Sequence, residues 1–195
     1  MQYMRKISKV SALIAVVGIS LAAGLAPASA DTVNSTVSGA SLSATTAAPA
    51  LSAVTLNGTS TQTSTGTSTA WSLTDARGTG AAWTVSASAT DFTSAAGTAE
   101  TVVRTITAPN LTITPGTVTA AAGADPATGI TAPALVMSTT SQALISATGP
   151  HKGTYNVTPS FSLSIPANAY RSNYAGVVGS SALNPYTSTI TYTIA

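Results

Sequence analysis

Cysteine is absent from all 195 residues, and only 12 positions carry a formal charge, seven Lys or Arg and five Asp or Glu. Without thiols the chain has no disulfide and no thiolate metal site, so its fold is held by burial alone. Charge this sparse does not suit a solvated disordered tail, and 44% hydrophobic residues suffice for a core. Histidine occurs once and aromatic residues make up 5% of the chain, which leaves little material for acid–base chemistry or for a broad stacking surface. Helical periodicity is also missing: the Ala-rich stretch 120–127 is interrupted by Gly123 and Pro126. In place of all these stand Ala (37), Ser (26) and Thr (35), half the chain, with Val, Ile and Leu spaced regularly among them.

The only long apolar run lies at the N-terminus. Arg5, Lys6 and Lys9 precede an apolar run of 16 residues, Val10 to Leu25, and Ala28-Ser29-Ala30 follows as a small-residue cleavage site. This is the layout of an export signal, and the run is shorter than the ~20 residues a membrane helix needs. Residues 1–30 are therefore expected to be removed after Ala30, leaving a secreted chain with no membrane span. The mature chain would carry Arg77, Arg104, Lys152 and Arg171 against Asp31, Asp75, Asp91, Glu100 and Asp125, a net charge of −1. The full-chain pI near 9.1 thus belongs to the signal and gives no reason to expect a nucleic-acid partner.

The remainder is of single-domain length. Residues 31–50, mostly Ser, Thr, Ala and Val, suit a tether or a first edge strand. From Leu51 onward short β-type segments alternate with Gly, Pro and Asn. Between Thr154 and Ile165 the odd positions, Tyr155, Val157, Pro159, Phe161, Leu163 and Ile165, are apolar and the even ones polar. From Tyr186 to Ile194 the even positions are Tyr186, Ser188, Ile190, Tyr192 and Ile194, with threonine at every odd position between them. Period two with one wet face is the mark of antiparallel sheets, so the expected fold is all-β, an antiparallel sandwich over residues 51–195. Pro159 would place its strand at an edge or at a bulge. The Thr-rich stretch 59–69 has no apolar face and is expected to be an exposed ribbon or loop.

Both tryptophans fall in one block, WSLTDARGTGAAWTVSASATDFT, from Trp71 to Thr93. Trp71 and Leu73 share one face; Trp83, Val85, Ala87 and Ala89 share another. Both faces should enter one core. A three-residue loop, Ala76-Arg77-Gly78 with Gly78 left-handed, would pair the segments as a hairpin and set Trp71 opposite Trp83. Asp75 and Arg77 are expected to organise their own turn.

At this block the sequence resembles the WxL domain of Gram-positive surface proteins. Trp71-Ser72-Leu73 fits the Trp-x-Leu signature literally, and Thr74 to Val85 is similar to the segment found near it. Tyr186, Ile190, Thr191, Tyr192 and Ile194 occupy the second signature, with Tyr for Trp and Ile for Leu. The resemblance implies a secreted module that associates non-covalently with the cell wall, with peptidoglycan or an attached polymer as ligand and other surface proteins as further partners. The residues themselves point to packing: Trp71, Leu73, Tyr192 and Ile194 lie on apolar faces, and a buried ring cannot stack on a sugar. Exposed ligand contacts are therefore sought at Tyr170, Arg171, Asn173 and Tyr174, a polar and aromatic cluster without alternation.

The inventory gives no enzyme and no cofactor. His151 sits in the turn-like Gly149-Pro150-His151-Lys152-Gly153 and is expected to be solvated; no Gly-x-Ser-x-Gly elbow exists. The carboxylates are scattered, which supplies neither a glycosidase pair nor a calcium or other metal site. Sequons at Asn34, Asn57, Asn110 and Asn156 are about what chance gives in so Ser- and Thr-rich a chain. The function expected is attachment to the wall in adhesion or surface coating. The alternative is an extracellular subunit that self-assembles into a fibre, pilus or surface layer through open strand edges.

Overall fold

The computed structural model describes residues 33–195; the signal segment and its cleavage site lie outside them. Residues 33–37 are exposed throughout, and Ser38–Ala195 forms one unit of its own. In that unit the chain is all-β. The first strands are β1 (Leu42–Thr45), β2 (Gln62–Thr67), β3 (Trp71–Asp75), β4 (Trp83–Ala89), β5 (Phe92–Ser94) and β6 (Arg104–Ile106). After a 3-10 turn at Ala108–Asn110 come β7 (Leu111–Thr114), β8 (Thr119–Ala120), β9 (Ile130–Thr131), β10 (Leu135–Val136) and β11 (Gln142–Ala147). The last are β12 (Gly153–Val157), β13 (Ser160–Ile165), β14 (Asn173–Tyr174), β15 (Leu183–Asn184) and β16 (Ile190–Ile194).

These strands form three antiparallel four-stranded sheets, ordered β1-β3-β12-β8, β10-β7-β13-β2 and β16-β4-β11-β9, with the small pairs β14-β15 and β5-β6 beside them. Alternation decides which side of each strand is buried. In β4 the residues Trp83, Val85, Ala87 and Ala89 are buried while the Thr and Ser between them are half-exposed. A single apolar cluster joins all three sheets: Trp71, Leu73, Tyr155 and Val157 from the first, Leu111, Ile113, Phe161 and Leu163 from the second, Trp83, Val85 and Ile145 from the third. This is the antiparallel, sandwich-like architecture that the period-two pattern implies. In β11 the register shifts between Ala143 and Ile145, so that consecutive Leu144 and Ile145 both turn inward.

Strand pairing departs from the sequence-based expectation in several places. Trp71 and Trp83 are not opposite each other in a hairpin. Strand β3 pairs with β1 and β12, whereas β4 pairs with β11 and β16. The chain leaves the first sheet after Asp75 and enters the third at Trp83, and the turn between is built on Arg77. Its backbone N–H and its Nε both donate to Asp75 Oδ1 at 3.0 Å, and Nη2 reaches the carbonyls of Ala81 and Ala82. The Arg77 guanidinium holds the Asp75 carboxyl, which is 2% exposed, below its ordinary range despite the opposing effect of burial. Gly78 does take the left-handed conformation, φ +71°. Both indoles still enter the same core, at 1% and 2% exposure.

The alternating stretch 154–165 is two strands, not one edge strand. It divides at Thr158-Pro159, where the chain passes from the first sheet to the second, and both β12 and β13 are interior to their sheets. The proline therefore falls in the connection, where no ladder donor is lost, and its carbonyl accepts the Ser68 N–H at 2.9 Å. The Thr-rich stretch contains the regular edge strand β2, paired along its whole length with β13. Ser64 is buried, and Thr63, Thr65 and Thr67 face solvent. Segment 50–52 lies along its outer side: Ser52 N–H donates to the Thr65 carbonyl, and Thr65 N–H to Ser52 Oγ.

Candidate ligand-binding surface

The two signature blocks meet in the core. The Trp71 and Tyr192 rings lie edge to face with centroids 4.7 Å apart. Trp71 Nε1 donates to the Ala47 carbonyl at 2.8 Å and to Ser68 Oγ at 3.1 Å. Trp83 packs on Tyr155 and donates to the His151 carbonyl. Leu73 is buried; Tyr192 and Ile194 are half-buried on the inner side of β16, and Thr191 is on its outer side. Tyr186 stands before β16, half-buried, with its hydroxyl donating to the Tyr170 carbonyl at 3.0 Å. Of the signature rings, Trp71 and Trp83 are buried, and Tyr186 and Tyr192 are half-buried against the same core.

His151 is buried, not solvated. Its Nδ1 lies 3.1 Å from the Pro126 carbonyl, an acceptor only, so Nδ1 carries the proton. Among the described residues no group of three or more His, Asp or Glu side chains is placed to hold a metal ion. A cavity of about 70 Å³ lined by Pro49, Leu51, Phe92, Leu111 and Phe161 is apolar and well below the roughly 300 Å³ at which ligand pockets begin.

The cluster at 170–174 has a different character. Two loops, 95–103 between β5 and β6 and 170–185 around β14 and β15, are tied together. Asn173, fully buried, donates through Nδ2 to the carbonyls of Ser94, Ala95 and Val102, at 2.8–3.3 Å, while its N–H donates to Ser94 Oγ. It is a brace and not the exposed contact its neighbours suggested: the two Nδ2 hydrogens are shared among three carbonyls of the facing segment, which requires the amide to be inside. Gly97 lies so close to the Tyr174 carbonyl that only a residue without Cβ fits. Glu100 is the hub. It accepts both terminal nitrogens of Arg171, at 2.5 and 3.0 Å, Arg104 Nη2 at 3.0 Å and the Tyr174 N–H at 2.6 Å. These donors, Arg171 foremost, hold its carboxyl down at about 2.

Over this scaffold stand Tyr170 and Arg171, both exposed, with Tyr174 and Arg104 half-buried beside them. The Arg171 guanidinium lies 3.9 Å above the Tyr174 ring and that of Arg104 5.4 Å from the Tyr170 ring. Tyr170 is 71% exposed. The Glu100 side chain is 14% exposed, against 42% for that of Arg171, so the charge offered to solvent is positive. Three of the four residues sought here, Tyr170, Arg171 and Tyr174, thus share one surface. Glu100 and Arg104 were not singled out from the sequence as part of this surface. Their i, i+4 spacing in a chain with so few charges was the available signal, because scarce charges in a weakly charged protein tend to be paired.

No protein-family model matches the chain, and neither the curated proteins nor the solved structures offer a match. Among the described residues no helix is long and apolar enough to cross a membrane.

Proposed function

We propose that this is a secreted surface protein that attaches non-covalently to the wall of a Gram-positive cell, in adhesion or coating, through the Tyr170–Arg171–Tyr174 surface. The observation that carries the reading is an exposed tyrosine, Tyr170, and an exposed guanidinium, Arg171, seated on the half-buried Tyr174 ring and a buried polar brace, while the other large rings among the described residues pack on the core. An exposed ring beside fixed donors suits a polymer of sugars, which offers apolar ring faces and hydroxyl acceptors together. The export-type N-terminus and the WxL-like blocks support the setting. On this reading those blocks are signatures of the fold, and the ligand surface lies elsewhere.

The self-assembly alternative drew on an open edge at the Ser/Thr ribbon. Segment 50–52 lies along that edge at Thr65, so wall attachment is the reading proposed. The test is co-sedimentation of the mature chain, Asp31–Ala195, with purified Gram-positive walls. The wild type is expected in the pellet, and the double variant Tyr170→Ala, Arg171→Ala at least about tenfold less, the loss of a charged hydrogen bond and a stacking face. A variant that pellets like the wild type while melting at the same temperature refutes the surface; a wild type left in the supernatant refutes wall attachment.

A further inference from the structure

Arg171 has donors to spare, and they are of one kind. A guanidinium carries five N–H groups. Nη1 uses two, on Glu100 Oε2 at 3.0 Å and on the Ser172 carbonyl at 2.7 Å; Nη2 uses one, on Glu100 Oε1. No acceptor among the described residues takes Nε–H or the second Nη2–H. These two point the same way and form the lateral fork of the group, the edge that grips a carboxylate or phosphate with two parallel hydrogen bonds. In Arg77 the same edge is spent internally, its Nε and Nη2 turned onto Asp75, both at 3.0 Å.

The free fork is also pre-oriented. The Tyr174 ring lies beneath the guanidinium plane, Glu100 fixes the opposite edge, and Arg104 Nη1 donates to the Arg171 carbonyl at 2.6 Å. A side chain already held in one conformation loses little entropy when a ligand arrives. The surrounding charge has the matching sign. Loops 95–103 and 170–185 with their flanking strands contain Arg104, Arg171 and Glu100, a net +1, whereas the other described residues carry Arg77 and Lys152 against Asp75, Asp91 and Asp125, a net −1.

We infer that the lateral fork of Arg171 binds an oxyanion, and that the ligand of this surface is the phosphate-bearing polymer attached to the wall. The inference rests on the wall-attachment reading and names the ligand within it. Tyr170, exposed on the same surface with its ring against Arg104, stacks on the sugar or polyol next to the bound group. Because each bound anion replaces mobile counterions, affinity falls as salt rises.

The experiment compares three pellets with the mature chain: intact wall, wall stripped of phosphodiester-linked polymer with cold hydrofluoric acid, and phosphatidylglycerol vesicles. Binding is expected to the intact wall, at least about tenfold weaker to stripped wall, the worth of a charge-assisted bidentate contact. Inorganic phosphate should compete better than chloride of equal ionic strength. Arg171→Lys, which keeps the charge but has no fork, is expected to bind as weakly as wild type on stripped wall, with an unchanged melting temperature as the control on folding. Equal binding to intact and stripped wall overturns the inference and leaves wall attachment standing. Binding to neither wall overturns both. Arg171→Lys binding like wild type removes the fork, and preference for the vesicles moves the ligand to a bilayer, where the exposed Val177 and Val178 nearby would take part.

Discussion

Tyr192 shows how much one side chain can reveal. Its ring packs on Trp71, but its hydroxyl is buried with no hydrogen-bond partner. A buried polar atom without a partner costs about 1–3 kcal/mol, so Tyr192→Phe, which keeps the ring contact, should stabilise the protein by about 1 kcal/mol in urea denaturation. Burial also pushes the Tyr192 phenol far above its ordinary 10.0. The folded state thus holds a proton that the unfolded chain gives up above about pH 10, and stability is complete below that pH and falls as pH rises. Tyr192→Phe should blunt the alkaline loss, although Tyr155 and Tyr186, also raised by burial, keep part of it. A variant less stable than wild type at neutral pH would show that the hydroxyl has a partner. At this scale the inward or outward sense of a side chain was legible from period two, as at Trp71, Leu73 and Tyr192. Asn173 and His151 were not: both sit in stretches without alternation, and their polar atoms are met by carbonyls of segments 25 to 79 residues away.

Strands were legible one by one and their partners were not. Alternation reports which face of a strand is buried, and that is a local property; the choice of neighbour depends on contacts between distant segments. Trp71 and Trp83 satisfied every local requirement of a hairpin, yet Arg77 turns the chain toward another sheet. Pro159 marked a real interruption but could not say whether it was an edge, a bulge or a crossing. The exposed surface shows the same limit, since it exists only because loop 95–103 docks on loop 170–185. Gly97 tests that docking. A Cβ there would collide with the Tyr174 carbonyl, so Gly97→Ala should cost about 1–3 kcal/mol, as overpacking does. Hydrogen exchange locates the damage: the amides of Thr98 and Tyr174, which donate to the Ala175 carbonyl and to Glu100, should lose protection while those of β4 keep theirs. Unchanged exchange at both amides would mean that the loops are held without this close approach.

For the molecule as a whole the question is where the folded unit begins. The sequence drew a line near Leu51 by composition, with 31–50 as tether or edge strand, but composition cannot tell a Ser- and Ala-rich strand from a linker. The structure puts β1 inside that stretch, paired residue for residue with β3 from Leu42↔Asp75 to Thr45↔Ser72. Leu42 and Ala44 turn toward the core, β1 lies against β16, and the Ala47 carbonyl caps the Trp71 indole. Residues 33–37, in contrast, are exposed at every position. Two truncations of the mature chain therefore separate the roles. Removing residues through Val37 should leave the urea midpoint and slope within error, as surface changes do at under about 0.5 kcal/mol. Removing residues through Thr46 should lower stability by at least about 2 kcal/mol, since burial of one leucine alone is worth about 1.5–3. It should also redden tryptophan emission in the native state, because Trp71 would lose the neighbouring strand that screens it. If the longer truncation matched the shorter in midpoint and emission, β1 would be an appendage, and the Trp71–Tyr192 contact would stand without it.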